Sequence, residues 1–371
     1  MKRFTGLVAS GLIVAASVLT SGPAASAAPA KLIPAAEKAI PNQYIVVLKE
    51  GANARSIAAA AGVSPTYVYE AALNGFAATL NAGQLTALQH NPHVDYVEQD
   101  AEVAINATPW GLDRIDQRYL PLDGRYTSNT LASNVTAYVI DTGINASHAE
   151  FGGRARNVYD AFGGTGTDCN GHGTHVAGTV GSATYGVAKG VQLRGVRVLD
   201  CNGSGSWSGV IAGIDWVRMN AVKPAVANLS LGGGANSSVD TAATNLANSG
   251  VTLAVAAGNS NANACNYSPA RASAVLTIAA SDSADNRASF SNYGSCVELY
   301  APGVNILSVG GTMSGTSMAA PHVAGCAAKY KGTYGDASTA TVNSWIINNA
   351  TVGVIKGNPT GTPNRLLYCP L

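Results

Sequence analysis

Four short apolar runs, at residues 137–140, 193–198, 225–229 and 252–256, alternate with small-residue stretches at 172–179, 208–219, 238–248 and 317–331. The runs are too short for helices and show no in–out alternation, so they read as strands buried on both faces of a parallel sheet. The stretches between them have the length of crossover helices. This alternation predicts a doubly wound, mostly parallel α/β fold. In such a sheet the chemistry gathers at the carboxyl ends of the strands, and the motifs below are weighed against that geometry.

A separate rhythm precedes this body. From about Pro41 to Asp100 strand candidates at 44–48, 66–69, 75–80 and 94–97 are interleaved with helix candidates at 52–61 and 85–89. The order strand–helix–strand–strand–helix–strand predicts a small ferredoxin-like α+β domain. Its place ahead of an enzyme-like body favours a pro-region. Earlier still, Lys2 and Arg3 precede an apolar stretch over 7–19 and then Ala25-Ser26-Ala27. That pattern predicts an export signal over 1–27, because the stretch is short for a membrane anchor and a small-residue cleavage site follows it. The expected organisation is therefore signal 1–27, propeptide 28–104 with its structured part at about 41–104, and main domain 105–371.

Export makes disulfides available to the six cysteines, all of which lie beyond the signal. Six cysteines allow about 15 pairings, so their connectivity is not read from the sequence. No CxxC pair begins a zinc site. Charged residues are 12% of the chain and the formal net charge is +1. With no dense Lys/Arg cluster, a nucleic-acid partner is not expected. After signal cleavage no membrane partner is expected either.

Asp141 follows the run 137–140 and should emerge at a strand's carboxyl end. There it could orient a histidine, or equally cap a turn. His172 lies between Gly171 and Gly173 at the start of a small-residue helix, with His175 one turn later. A zincin would need its histidines at i and i+4 with a Glu between them, and this chain has neither. His172 therefore reads as a general base and His175 as a packed histidine. Ser317, in Gly315-Thr316-Ser317-Met318-Ala319-Ala320-Pro321, would open a helix whose unpaired N–H groups favour developing negative charge. Serine needs a base to become a nucleophile, a part that His172 can fill; alone it could be a plain N-cap. Asn259, just past the run 252–256, offers an amide donor for an oxyanion, or a turn residue.

Taken together, these residues resemble the subtilisin-like serine proteases, whose triad runs Asp, His, Ser along the chain. Three further stretches match the proteinase K branch and its aqualysin group in particular. They are Pro109-Trp110-Gly111-Leu112-Asp113-Arg114-Ile115-Asp116-Gln117, Arg197-Val198-Leu199-Asp200-Cys201-Asn202-Gly203-Ser204-Gly205 and Cys265-Asn266-Tyr267-Ser268-Pro269-Ala270-Arg271. The resemblance covers nearly all of the chain after the signal.

The resemblance implies a secreted, monomeric endopeptidase that hydrolyses proteins through an acyl-enzyme, with broad specificity and an apolar or aromatic preference before the cut. It implies an inhibitor-type pro-domain that assists folding, occupies the cleft and is removed by self-cleavage between about Val103 and Thr108. Substrate is expected between Gly203-Ser204-Gly205 and Ser230-Leu231-Gly232. By family pairing, disulfides are expected at Cys169–Cys201 and Cys265–Cys296, while Cys326 and Cys369 could pair or leave Cys326 a buried thiol. Calcium is implied as a structural ion, with no catalytic metal. One site would use Asp113, Asp116, Gln117 and Asp123; a second would use the backbone oxygens of Ser273 and Val275 and the carboxylate of Glu298, where the family usually has aspartate. Two departures stand out. The stretch 308–313 is shorter than in the aqualysin group, and Lys329 and Lys331 occupy positions mostly apolar in relatives, with Lys329 expected to reach solvent along its alkyl stem. A non-catalytic peptide-binding relative and a zinc hydrolase are the competing readings.

Overall fold

Strand β6 (Thr136–Asp141) is an interior strand of a nine-stranded sheet, third from one edge, and its side chains divide between two cores. Ala137 and Val139 face one core, and Tyr138 and Ile140 face the other. A strand with both faces covered has no polar side, which is why the run shows no alternation. The computed structural model describes residues 28–35, 39–101 and 108–371. The expected signal at 1–27 and all but Thr108 of the expected cleavage region lie outside those residues. The chain divides into two units, Met1–Ile105 and Asn106–Leu371.

In the first unit β1 (Lys31–Ile33), β2 (Ala39–Leu48), β3 (Tyr67–Tyr69), β4 (Gly75–Thr79) and β5 (Val94–Ala101) form one sheet in the order β1-β5-β2-β4-β3. The order β5-β2-β4-β3, antiparallel throughout, is the ferredoxin-like arrangement. β1 is an unexpected edge strand, parallel to β5. Helices α1 (Ala54–Ala60) and α2 (Ala82–Gln89) start on the asparagine caps Asn53 and Asn81.

The second unit holds β6, β7 (Ala155–Asp160), β8 (Gln192–Arg197), β9 (Ala225–Leu229), β10 (Gly233–Gly234), β11 (Thr252–Ala256), β12 (Tyr267–Ser268), β13 (Leu276–Ser281), β14 (Leu299–Pro302), β15 (Ile306–Ser308), β16 (Gly311–Met313), β17 (Thr351–Val352) and β18 (Arg365–Leu366). Its helices are α3 (Trp110–Ile115), α4 (His172–Gly181), α5 (Trp207–Asn220), α6 (Ser237–Asn248), α7 (Thr316–Tyr334) and α8 (Thr339–Asn349). The main sheet runs β17-β18-β14-β13-β11-β9-β6-β8-β7, parallel but for the β17–β18 edge. Residues of α4, α7 and α8 pack on one face and residues of α5 and α6 on the other. The doubly wound expectation holds. Among the described residues no helix is long and apolar enough to cross a membrane.

The shortened stretch before Ser317 folds as the β15–β16 hairpin, with Ser308 opposite Gly311. Gly310 and Gly311 take φ of 94° and 125°, which a tight hairpin turn needs and side chains resist. His175 anchors this hairpin: its Nε2 lies 3.0 Å from the Ile306 carbonyl, and its own carbonyl accepts from Ser308 Oγ at 2.8 Å.

Candidate active site

Asp141 ends β6, fully buried at the sheet's carboxyl edge. Its Oδ1 accepts the Thr142 N–H at 2.7 Å and lies 2.7 Å from His172 Nδ1. His172 opens α4 directly after Gly171, whose φ of 102° turns the chain into the helix. The Asp141 charge holds the imidazole above its usual pKa, against an opposing desolvation effect. Asp168 adds to the upward push. That carboxylate, which the sequence reading passed over, accepts from Thr142 Oγ1, Asn170 N, Gly171 N and both donors of Thr174. These bonds hold it below the usual carboxylate range, against the opposing effect of its own burial.

Ser317 lies in the first turn of α7 and donates its hydroxyl to the Ser230 carbonyl at 3.1 Å. Pro321 lies four residues on and has no N–H, so the Ser317 carbonyl lacks its helical donor. Ser230 Oγ supplies the missing bond at 2.7 Å and itself accepts from buried Asn228 Nδ2 at 2.9 Å.

Asn259 Oδ1 accepts from Thr316 N at 2.8 Å and Thr316 Oγ1 at 2.9 Å. With its oxygen so engaged, the amide nitrogen is the free end. A Cβ on Gly315 would stand 3.5 Å from Asn259 Nδ2 and 3.6 Å from Ser317 N. The two donors thus converge on the space that glycine leaves open.

Two cavities flank these groups. One, of about 560 Å³, brings His172 together with Gly203-Ser204-Gly205 and Ser230-Leu231-Gly232. The other, of about 250 Å³, is bordered by Ser317 and Asn259 and walled by Ala256, Ala257, Gly258 and Ala270. Leu231, Gly232 and Gly233 border both, so the cavities form one divided cleft. The β10–β12 pair, which no apolar run announced, holds this dividing segment against Tyr267 and Ser268.

The acidic group near Asp113 gathers where α3 runs into the segment that follows it. Asp113 accepts from Asp123 N at 3.3 Å and Gly124 N at 2.8 Å, Asp116 from Thr127 N at 2.6 Å, and Gln117 Oε1 from Asp123 N at 3.2 Å. Burial, with a contribution from the neighbouring carboxylates, pushes Asp113 up to about 6 and raises Asp116. In the second set the Ser273 carbonyl accepts from Thr244 Oγ1 at 3.0 Å and Glu298 accepts from Thr277 N at 2.6 Å. Burial takes the Glu298 carboxyl up to about 7. Among the described residues no three His, Cys, Asp or Glu side chains stand arranged around a metal position.

Disulfides join Cys169–Cys201, Cys265–Cys296 and Cys326–Cys369, which closes the question left open for the last pair. Lys329 does not reach solvent, contrary to expectation. It is fully buried, donates to Tyr126 Oη at 3.0 Å and lies 4.9 Å from that ring's centre. Lys331, also buried, reaches the Gly250 carbonyl at 2.7 Å and Asp336 at 2.8 Å.

The subtilase family model matches residues 132–366, and the peptidase inhibitor I9 model matches residues 43–106. The chain is 49% identical to an extracellular serine proteinase of a Thermus species over the whole of both chains. It is 46% identical to proteinase R of Parengyodontium album over 92% of each. A crystal structure of a cold adapted subtilisin-like serine proteinase superposes with a TM-score of 0.69 at 52% identity, covering 71% of this chain and 99% of the other.

Proposed function

Because the chain belongs to the subtilase family of serine proteinases, we propose that it is an extracellular endopeptidase with Asp141, His172 and Ser317 as its triad. The observation that carries the proposal is the 2.7 Å pairing of His172 with buried Asp141 on a cleft that Ser317 and Asn259 also border. Held through Nδ1, His172 has Nε2 available as a base. The Ser317 hydroxyl leaves its rest position on the Ser230 carbonyl and gives its proton to His172 as it attacks the scissile carbonyl. Asn259 Nδ2 and the Ser317 N–H take the oxyanion, and one such donor is worth about 2.7–4 kcal/mol. His172 then protonates the leaving amine, and water releases the acyl group by the reverse path.

Substrate lies as an added strand between Gly203-Ser204-Gly205 and Ser230-Leu231-Gly232, read mainly through its backbone. The small side chains lining the 250 Å³ cavity leave room for an apolar or aromatic residue before the cut. The inhibitor-type segment acts as folding aid and inhibitor within a monomer. Self-cleavage between about Val103 and Thr108 separates the propeptide, 28–104, from the enzyme, 105–371, after a signal over 1–27 is removed.

Calcium is proposed at Asp113, Asp116, Gln117 and Asp123. The support is a set of neighbouring carboxylates, of which Asp113 is pushed up to about 6 and Asp116 is raised, each chiefly by burial, together with loop carbonyls such as Pro121, 2.8 Å from the Gln117 amide. Hard oxygens around excess negative charge suit that ion. A second calcium is proposed on the backbone oxygens of Ser273 and Val275 with the Glu298 carboxylate.

Secretion of the wild type beside Ser317→Ala tests the proposal, with mature mass, N-terminal sequence and casein hydrolysis read on both. The wild type should lose its propeptide and cut casein, while the variant stays untrimmed and inert. Equal trimming without casein cleavage would move the reading to a peptide-binding relative.

A further inference from the structure

We propose that Asp168 is a positioning residue for this triad, a single carboxylate that holds the strand end bearing Asp141 and the helix start bearing His172 in one register. The inference rests on the protease reading above. Asp141 and His172 sit on separate elements, and their mutual hydrogen bond alone does not fix both against the sheet. Asp168 Oδ1 accepts from Thr142 Oγ1, Asn170 N and Gly171 N, each at 2.9 Å. Its Oδ2 accepts from Thr174 N at 2.9 Å and from Thr174 Oγ1. Thr142 completes the link: its N–H goes to Asp141 Oδ1 at 2.7 Å, and its Oγ1 accepts from Gly173 N at 2.9 Å. The residues on both sides of His172 are therefore tied, directly or through Thr142, to the backbone that orients Asp141.

The chemistry requires a carboxylate at this place. Both oxygens are used, whereas an asparagine would offer one acceptor and turn an N–H₂ group toward donors. The position at the start of α4, a helix of 10 residues, also suits negative charge. The ionisable groups facing His172 are Asp141 from β6, Asp168 from the preceding loop and His175 from α4 itself. Arg197, nearby, lies 3.4 Å from the sulfur of Cys169 and pairs with Asp160. Asp168 thus adds a second negative charge on the histidine side of the pair as well as a mechanical clamp.

Two variants separate these effects. Asp168→Asn removes the charge and keeps one acceptor, while Asp168→Ala removes the clamp. Each is secreted as the full chain, its active sites are counted with a fluorophosphonate, and kcat and KM per labelled site are followed on a peptide anilide against pH. Thermal melts are recorded beside them. Asp168→Asn is expected to move the acid limb of kcat to lower pH by roughly half a unit or more. Asp168→Ala is expected to lower plateau kcat about 10- to 100-fold with KM within about twofold, as misplaced reacting groups do. A lower melting temperature with the limb unmoved and kcat within about twofold overturns the inference and leaves Asp168 a fold residue. If the alanine variant is not secreted, the limb of the asparagine variant decides. A wild type that takes no fluorophosphonate label overturns the protease reading itself; a labelled wild type with unshifted variants overturns this inference alone.

Discussion

Ser230 Oγ donates to the Ser317 carbonyl at 2.7 Å, filling the place of the helical N–H that Pro321 lacks. The nucleophile's backbone is thus held from the neighbouring strand end rather than by its own helix. In return, the Ser317 hydroxyl rests on the Ser230 carbonyl at 3.1 Å.

This relationship gives a double-mutant prediction. Ser230→Ala leaves a buried carbonyl unpaired and should cost about 1–3 kcal/mol of stability, with kcat lowered as well. In a Pro321→Ala background residue 321 regains its N–H, so the same Ser230→Ala change should cost less, the remainder being the buried Asn228 amide that Ser230 Oγ also satisfies. Thermal unfolding of the four proteins, each blocked with a serine-directed phosphonate, measures the coupling. Equal costs in the two backgrounds would show that Pro321 and Ser230 are not linked.

Much of this arrangement was readable in the sequence, and the unread parts share a cause. The runs at β6, β8, β9 and β11 announce themselves because strands covered on both faces are largely apolar, although Arg194, Arg197 and Asn228 interrupt them. β7 (Ala155–Asp160) lies at the sheet edge and is mostly half-exposed, so its Arg156, Asn157 and Asp160 hide it. β13 and β14 are fully buried, but the one is rich in Ala, Ser and Thr and the other has only 4 residues and ends at Pro302. Asp141, His172, Ser317 and Asn259 follow or open such elements, where motif and element coincide. Asp168 and Ser230 show no positioning role in the sequence, because the bonds that tie them across the site, Asp168 with Thr142 and Ser230 with Ser317, span 26 and 87 residues. Local pattern carries no information about bonds of that range.

The histidine sets opposite pH trends for activity and stability. His172 is held above its ordinary pKa of 6.5, chiefly by the Asp141 charge. As base it must be neutral, so kcat should fall as pH drops through a midpoint above 6.5. The ion pair's stabilisation is fully present below the unfolded-state pKa and is lost as pH rises through the folded one. Asp141→Asn should lower kcat on the order of 10³–10⁴-fold. It should also abolish that stability trend, which thermal melts of phosphonate-free Ser317→Ala, with and without Asp141→Asn, would reveal. A kcat flat from acid to alkaline pH would remove His172 from the base role.

Lys329 carries a penalty that alkaline pH should relieve. Burial takes its ammonium down to about 8 from 10.5, with Asp116 pulling the other way. Between those two values the unfolded chain binds more protons than the folded one, so this group makes stability rise with pH. Lys329→Met should stabilise the protein at pH 7 by on the order of 1–3 kcal/mol, since Tyr126 keeps its own donation to the Val187 carbonyl at 2.8 Å. The gain should shrink to little above about pH 10.5. Melting curves at both pH values, at constant calcium, decide; a gain independent of pH would assign the effect to packing alone.

Calcium should invert the pH response of the segment holding Asp113. Without metal, Asp113 is pushed up to about 6 from 3.8, mainly by burial and in part by the charges of Asp123 and Asp116. A carboxyl raised in the folded state binds more protons there than in the unfolded chain, so stability falls as pH rises across that window. A bound divalent cation favours the ionised form and reverses the sign, because the metal needs its carboxylates deprotonated. Phosphonate-blocked protein, dialysed free of metal and then melted with and without calcium chloride from about pH 4 to about pH 7, should therefore give curves that diverge as pH rises. Asp113→Asn should bring the two curves together by removing both the penalty and the ligand. Coincident curves for the parent protein would show that calcium does not bind at these carboxylates, and the crowding at Asp113, Asp116 and Asp123 would then be a cost carried by the loop without return.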